Sequence, residues 1–403
     1  MKSKRSVLYW VFMLASCALL SIGRVYDERL VIMNINLPVL ISIVFAVLFI
    51  MILLSIKKVV FSKSKVLFYI FYLSILITTP ILWLVFDVTK FGFDKFFNFL
   101  LIIVPISIVI IEKYDRKDVV NIIYILLGIS FFLALLSLLG LSLSERIDGR
   151  TAILGGGPIV FSRWMGFGII SLFFLPSRIN IIYKYILIVI LFVLALSSGS
   201  RGPILALFLT GLVYILFNFN KVFFRISLVL CFIIPILLFT GLGKDLSNVG
   251  KFDRVFMNIS KKGGSSQSLI TRTDFAIGSF ILLQNYPLGV GPGNWQIVSN
   301  KLRPTHLMSL EYPHNLLLEV ACEYGIQTLI LILLLLTHVF YLSYNKMLKY
   351  RAENSSLYPL LFYLFIFFIL NSLVSGMLND SRLLFVIISC ILIHQPLITK
   401  RTN

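Results

Sequence analysis

Residues 37–56 read LPVLISIVFAVLFIMILLSI, a run without a single charged side chain. A transmembrane helix needs about 20 predominantly apolar residues to cross the hydrocarbon core of a bilayer, so this stretch predicts a membrane span. The whole chain of 403 residues has the same character, since 59% of it is hydrophobic and only 13% is charged. Soluble domains average about 45–50% apolar and about 25% charged residues. The sequence therefore predicts an all-α polytopic membrane protein.

Similar apolar runs along the chain predict about twelve transmembrane helices. The candidate spans are residues 7–22, 37–56, 66–86, 96–111, 119–143, 158–176, 185–199, 203–217, 226–242, 322–343, 357–378 and 383–399. The chain then divides into spans 1–9 in residues 1–242, a long polar loop in residues 243–313, and spans 10–12 in residues 314–403.

The loop 243–313 is the one long interruption of the apolar pattern, and long connections of this kind are usually functional or disordered. Within it, apolar residues recur at an approximate helical period, which predicts a helix over 269–285. These residues are Leu269, Phe275, Ala276, Phe280 and Leu283. Pro287 and the glycine-rich run that follows end this helix. We expect a partly helical subdomain against the outer mouth of the bundle.

The distribution of charge orients the chain. The formal net charge is +19, but the lysines and arginines occur in short clusters between apolar runs, as the positive-inside rule describes. This pattern predicts both termini in the cytoplasm and the 243–313 loop on the periplasmic or outer side. It disfavours nucleic-acid binding, which needs basic residues gathered on one face. The four cysteines lie apart in apolar runs without a CxxC, and no metal-ligand motif is evident, so we predict neither a metal nor a cofactor.

Two arginines stand at positions suited to anion binding. Arg201, in Ser200-Arg-Gly-Pro203, lies at a span boundary; it could hold a phosphate through paired N–H donors, or snorkel to mark the helix end. Arg272 lies near the start of the predicted loop helix, where a helix N-terminus already favours anions. A local pair with Asp274 is the alternative for Arg272.

Polar residues surround the start of the tenth span. His314, in Tyr312-Pro-His-Asn315, precedes it, and a histidine can take a proton from a hydroxyl near neutral pH. Glu319 and Glu323 lie four residues apart on one helix face. Carboxylates near a bilayer are costly unless they are paired or hydrated.

These motifs, in this order, resemble the O-antigen ligase/polymerase superfamily of integral-membrane glycosyltransferases. The matching features are Ser200-Arg-Gly202, then Arg272 with Pro287-Leu-Gly-Val-Gly-Pro-Gly-Asn294, and then Pro313-His-Asn-Leu-Leu-Leu-Glu319 continuing through Glu323-Tyr-Gly325. The resemblance is specific over about residues 200–325 and diffuse before them.

The resemblance implies a metal-independent, inverting transfer of sugar from a polyprenyl-diphosphate-linked glycan, at the outer face of the bacterial cytoplasmic membrane. Arg201 and Arg272 would bind and neutralise the diphosphate leaving group, and His314 would activate or orient the acceptor hydroxyl. Substrate-binding candidates beside them are Asn315 and Glu319. Arg163 and Arg382 either line the same cavity or snorkel at the membrane boundary.

Within the superfamily, the His314 motif favours a polymerase that joins lipid-linked repeat units of O-antigen or capsule, with a possible chain-length regulator as partner. A ligase that transfers glycan to lipid A-core is the alternative. A transporter is the rival from another class, because twelve spans with both ends inside is a common permease layout. Transporters tend to bind their substrates near the bilayer midplane, whereas the charged residues here cluster toward the outer boundary.

Overall fold

The computed structural model describes residues 7–32, 34–56, 62–140, 157–175, 180–217, 265–303, 312–351 and 356–393. Most of these residues form α-helices; the others lie in loops, in short 3-10 and π turns, and in one hairpin in which β1 (Val31–Ile32) pairs antiparallel with β2 (Ile35–Asn36). The helices are α1 (Val7–Ile22), α2 (Leu37–Leu54), α3 (Lys63–Trp83), α4 (Lys90–Asn98), α5 (Val104–Lys113), α6 (Arg116–Leu138), α7 (Pro158–Phe174), α8 (Ile181–Ser197), α9 (Arg201–Phe217), α10 (Ser265–Asn285), α11 (Trp295–Leu302), α12 (Leu316–Arg351), α13 (Leu357–Ser375) and α14 (Arg382–Leu392).

The all-α membrane architecture agrees with the prediction from composition. In the described part of the chain, six helices are long and apolar enough to cross a membrane, one of them being α4 and α5 joined through a π-helical turn at Phe99–Ile103. Four shorter helices, α1, α7, α8 and α9, are also apolar. The predicted span 226–242 lies outside the described residues, as does the end of the span 383–399. The total of twelve spans stays a prediction.

The ends of the long apolar helices gather at two opposite ends of the bundle. At one end, Lys113 Nζ donates to the Ser55 carbonyl at 2.8 Å, and Lys65 forms a buried ion pair with Glu112 at 3.1 Å. At the other end, α1, α8 and α13 finish while α4, α9, α12 and α14 begin; we call it the site end. The predicted site residues described below all lie there.

Helix α12 is broken at Gly325, which has φ 85° and ψ 168°. This conformation is essentially restricted to glycine, and it leaves the Cys322 and Glu323 carbonyls without their helical partners. The loop between α10 and α11 supplies replacements, because Val290 N–H and Gly291 N–H donate to these two carbonyls at 3.0 Å each. The glycine-rich motif of the sequence is therefore a structural partner of the break in α12.

Helix α10 confirms the helix predicted over 269–285, but its buried face differs from the predicted apolar stripe. Phe275 and Leu282 are buried in a small core with Trp295 and Cys322, whereas Phe280 is 60% exposed. The Trp295 indole N–H donates to Ser279 Oγ at 2.9 Å and fixes α11 against α10. This small core attaches α10 and α11 to the first half of α12.

Candidate active site

His314 is held at the start of α12 in a left-handed conformation, with φ 56°. A positive φ is uncommon outside glycine and often marks a functional position. Asn315 fixes the local backbone, since its Oδ1 accepts from Leu317 N–H at 2.9 Å and its Nδ2 donates to the Leu373 carbonyl at 2.9 Å. Asn315, predicted to bind substrate, is thus engaged in capping α12 and joining it to the end of α13.

Two aromatic rings set the plane of the His314 imidazole. The Phe275 ring is parallel to it within 8°, with ring centroids 5.8 Å apart, and the Tyr312 ring lies at 4.2 Å. The imidazole Nδ1 is buried and has no hydrogen-bond partner in the described part of the protein. An oriented ring with an unused nitrogen can accept a proton or a hydrogen bond from a ligand.

The electrostatic surroundings keep His314 neutral. Burial is the main cause that lowers its pKa to about 4; the positive charge of Arg272 lowers it further, while Asp380 acts in the opposite direction. A neutral imidazole at physiological pH is the form that can take a proton. Burial also raises the pKa of the Tyr312 phenol, with Asp380 adding to the effect, so Tyr312 stays protonated.

Helix α10 brings Arg272 to His314. Arg272 and Phe275 are three residues apart, and residues at this spacing share a helix face. Because Phe275 stacks on the imidazole, Arg272 comes close enough for its charge to act on both His314 and Tyr312. The structure thus brings together the two candidates that sequence placed on opposite sides of a long loop segment.

Arg163 enters the same region from α7. Its Nη2 donates to both the carbonyl and the hydroxyl of Ser375 at 3.1 Å, and its Nη1 donates to the Asp380 carbonyl at 3.3 Å. The Nε atom is buried and has no hydrogen-bond partner among the described residues. The charge of Arg163 acts on Tyr312, which places this arginine beside the His314 group rather than at a lipid-facing boundary.

Arg201 begins α9 at the same end of the bundle, directly after a turn at Gly199 with φ 65°. The next residue, Gly202, packs so closely on α13 that a Cβ there would lie 3.1 Å from Val374 and 3.7 Å from Ser375. The residue before it, Ser200, has a buried hydroxyl without a hydrogen-bond partner in the described ranges. Arg201 itself is exposed.

The last turn of α13, residues 373–375, is therefore the common neighbour of the candidate residues. The Leu373 carbonyl receives the Asn315 amide beside His314, Val374 contacts the glycine that follows Arg201, and Ser375 receives Arg163. Sequence reasoning did not single out this segment, because it contributes main-chain acceptors and small side chains.

Arg382, predicted to line the cavity or to snorkel, has a different position. Its Nε donates to the Leu20 carbonyl and its Nη2 to the Ser21 carbonyl at 3.2 Å, at the C-terminus of α1. Gly23, with φ 75°, leaves room for this guanidinium. A Cβ on residue 23 would lie 2.3 Å from the Arg382 side chain. A cation at the C-terminus of a helix satisfies free carbonyls and the helix dipole. The geometry favours a structural role for Arg382.

Glu319 and Glu323 are paired by a lysine that sequence reasoning did not single out. Lys95 of α4 bridges both carboxylates, with 2.5 Å from its Nζ to Glu323 Oε2, and all three side chains are at most 1% exposed. Charges buried in this way remain only when paired and hydrogen-bonded, and removing one partner costs about 3–5 kcal/mol. We call Lys95, Glu319 and Glu323 the triad. The sequence did contain a signal for this lysine: Glu319 and Glu323 share one face of a helix, and burying two carboxylates costs free energy unless a cation from another helix neutralises them.

Residues 186–333 match the family described as O-Antigen ligase. The matched range runs from α8 past the break in α12 and contains Arg201, Arg272 and His314. No curated protein sequence matches the chain significantly.

Proposed function

We propose that this membrane protein is a repeat-unit polymerase of the O-antigen ligase/polymerase superfamily, a proposal supported by the match of residues 186–333 to the family described as O-Antigen ligase. It would transfer a growing glycan from polyprenyl diphosphate to a hydroxyl of a lipid-linked repeat unit, with inversion and without a metal. The strongest support for a polymerase is that a neutral His314 lies close to Arg272 and Arg163, at the end of the bundle where α9 begins.

The chemistry needs one base and a site for a polyanion. The acceptor hydroxyl attacks the anomeric carbon from the face opposite the diphosphate, the bond from that carbon to the diphosphate oxygen breaks, and the configuration inverts. The hydroxyl proton passes to the imidazole of His314, which is neutral and oriented by Phe275. General-base assistance of this kind contributes about 10²–10⁴-fold in rate.

The departing diphosphate gains negative charge as the bond breaks. Guanidinium groups form paired, charge-assisted hydrogen bonds to such oxygens, and preplaced cations stabilise the developing charge. Arg201 and Arg272 would serve here, with Arg163 as a third cation whose Nε has no partner among the described residues. Glu319 is buried against Lys95, which leaves it without direct access to a substrate in this structure.

The position of the site suits a lipid-linked substrate. The site residues gather where spanning helices begin and end, which is the depth at which the diphosphate of a polyprenyl carrier lies. The charge bias of the loops supports a cytoplasmic location for both termini, and the site end is opposite to the end where α1 begins. We therefore propose that the site faces the periplasm or exterior, where a chain-length regulator could act on it.

A glycan profile separates the polymerase from the ligase. Cells carrying Arg201→Ala, Arg272→Ala or His314→Ala should make glycan with a single repeat unit, while Arg116→Ala should leave long chains. Arg116 is a suitable control because it lies at the opposite end of the bundle, over the Tyr358 ring. Lipid-linked polymer with none attached to lipid A-core would indicate the ligase. Normal ladders in all three variants would contradict the residue assignments.

An assay with purified protein separates an enzyme from a transporter. The protein in nanodiscs is supplied with a polyprenyl-diphosphate-linked oligosaccharide as both donor and acceptor. Release of polyprenyl diphosphate in step with glycan growth demands catalysis. In proteoliposomes, movement of the lipid across the bilayer without any glycan growth would favour the transporter.

A further inference from the structure

We propose that the triad of Lys95, Glu319 and Glu323 is a positioning device for the glycosyl-transfer site. It would hold the turn after α13 and the first half of α12 in the arrangement that transfer requires. The inference rests on the proposed function and assigns Lys95 a part in it. It also changes the expectation for Glu319, from a substrate ligand to a positioning residue.

The first support comes from the turn that follows α13. Glu319 Oε2 accepts from the Leu378 N–H at 2.9 Å, and the Asn379 side-chain amide donates to the Lys95 carbonyl at 2.9 Å. Lys95 therefore holds two consecutive residues, one through Glu319 and one through its own main chain. The next residue is Asp380, whose carbonyl receives Arg163 and whose charge acts on His314.

The second support comes from the glycine-rich loop. Glu323 Oε1 accepts from the Gly293 N–H at 3.1 Å. Gly293 also packs against Gly92 of α4, so tightly that a Cβ on Gly293 would lie 2.5 Å from the Gly92 backbone. The loop, α4 and the first half of α12 thus meet at the triad, and His314 immediately precedes that half-helix.

The burial of the triad argues against direct substrate contact. Its side chains are at most 1% exposed, and every partner named above is within the protein. A substrate oxygen could reach Lys95 only by displacing a carboxylate. The triad must therefore affect transfer through the residues that it holds in place. Such an effect changes kcat more than donor KM.

The test compares Glu319→Gln and Glu323→Gln in the full-length protein in nanodiscs. Each variant leaves one lysine–carboxylate pair, so no net charge is stranded. We expect Glu319→Gln to lower kcat by about 10- to 100-fold, since a misplacement of about 1 Å can cost that much, with donor KM within about twofold of wild type. Amide hydrogen exchange over residues 376–381 should become faster, because Leu378 N–H loses a charged acceptor. Glu323→Gln should instead speed exchange at Gly293.

A matched control is Glu112→Gln, which alters another buried lysine–glutamate pair at the opposite end of the bundle. It should lower thermal stability without changing kcat or exchange over 376–381. Lys95→Arg should retain more activity than Lys95→Met at equal folded yield.

The outcomes separate the two proposals. A raised donor KM with unchanged kcat in Glu319→Gln would overturn the inference in favour of substrate contact. Unchanged exchange over 376–381 would also overturn it. If wild-type protein fails to extend the glycan, the proposed function fails, and the exchange measurement still decides whether the triad holds the turn.

Discussion

The break in α12 offers the sharpest test of how the fold supports the site, through the substitution Gly325→Ala. Gly325 has φ 85° and ψ 168°, a region that side chains with a Cβ essentially avoid. The break releases the Glu323 carbonyl to Gly291, and Ile326 N–H donates to the Pro287 carbonyl at 2.9 Å. The substitution therefore strains the junction between α12 and the glycine-rich loop.

Two costs add in this variant. Holding a residue other than glycine in such a region costs about 1–3 kcal/mol. In addition, the new Cβ would lie 2.4 Å from the Leu288 carbonyl oxygen, a main-chain atom that cannot withdraw without disturbing the neighbouring hydrogen bonds. Steric overlap of this kind costs about 1–3 kcal/mol more. We therefore expect Gly325→Ala to lower the free energy of unfolding by about 2–6 kcal/mol, which is enough to lower the yield of folded protein severely.

The assay is the thermal midpoint of purified protein in detergent, followed by size-exclusion chromatography of folded material. Gly128→Ala is the matched control, because Gly128 lies inside α6 and a Cβ there meets nothing within 4 Å. Alanine in a helix interior is favoured over glycine by about 1 kcal/mol, so this variant should be equal to or more stable than wild type. Equal midpoints for Gly325→Ala and Gly128→Ala would refute the reasoning.

Three further predictions concern the charged and aromatic residues of the site end. Phe275→Leu removes the ring that orients His314, a contact worth about 0.5–1.5 kcal/mol, and should lower kcat with little change in donor KM; a change in KM alone would contradict this. Arg382→Gln should lower the thermal midpoint while donor KM stays unchanged, since the guanidinium joins the carbonyls at the end of α1 to Asp380; a raised KM at an unchanged midpoint would contradict the structural role. Because His314 must be neutral to accept a proton and its pKa is lowered to about 4, activity should be flat from about pH 5 to 8 and fall as pH drops through about 4. In pH–rate profiles, the acid limb should move to higher pH in Arg272→Gln and to lower pH in Asp380→Asn, and identical limbs in both variants would contradict the electrostatic account.

The membrane helices were predictable because lipid imposes a length and a composition on each span. The boundary of α12 shows the limit of that reasoning. Sequence placed the tenth span at residues 322–343, whereas the helix already begins at Leu316 and therefore includes both Glu319 and Glu323. The carboxylates are tolerated because Lys95, distant in sequence, neutralises them. Hydropathy counts a charge against a span and takes no account of its partner.

The face of α10 could not be predicted for a related reason. Its apolar residues point in two directions, with Phe275 and Leu282 toward the small core and Phe280 outward. A helical stripe identifies a buried side only when the opposite side faces water. Next to a membrane, apolar residues can be exposed on the protein and still avoid water.

Arg163 and Arg382 show that the site, like the helix faces, depends on contacts that the sequence does not reveal. Arg163 and Arg382 are both buried arginines at the site end. The structure separates them by their acceptors, which are the end of α13 for Arg163 and the end of α1 for Arg382. Motifs report side chains that perform chemistry, while the main-chain carbonyls that hold those side chains can come from any sequence that ends a helix at the right place. The catalytic candidates were therefore visible in the sequence, and the turn of α13 on which they converge was not.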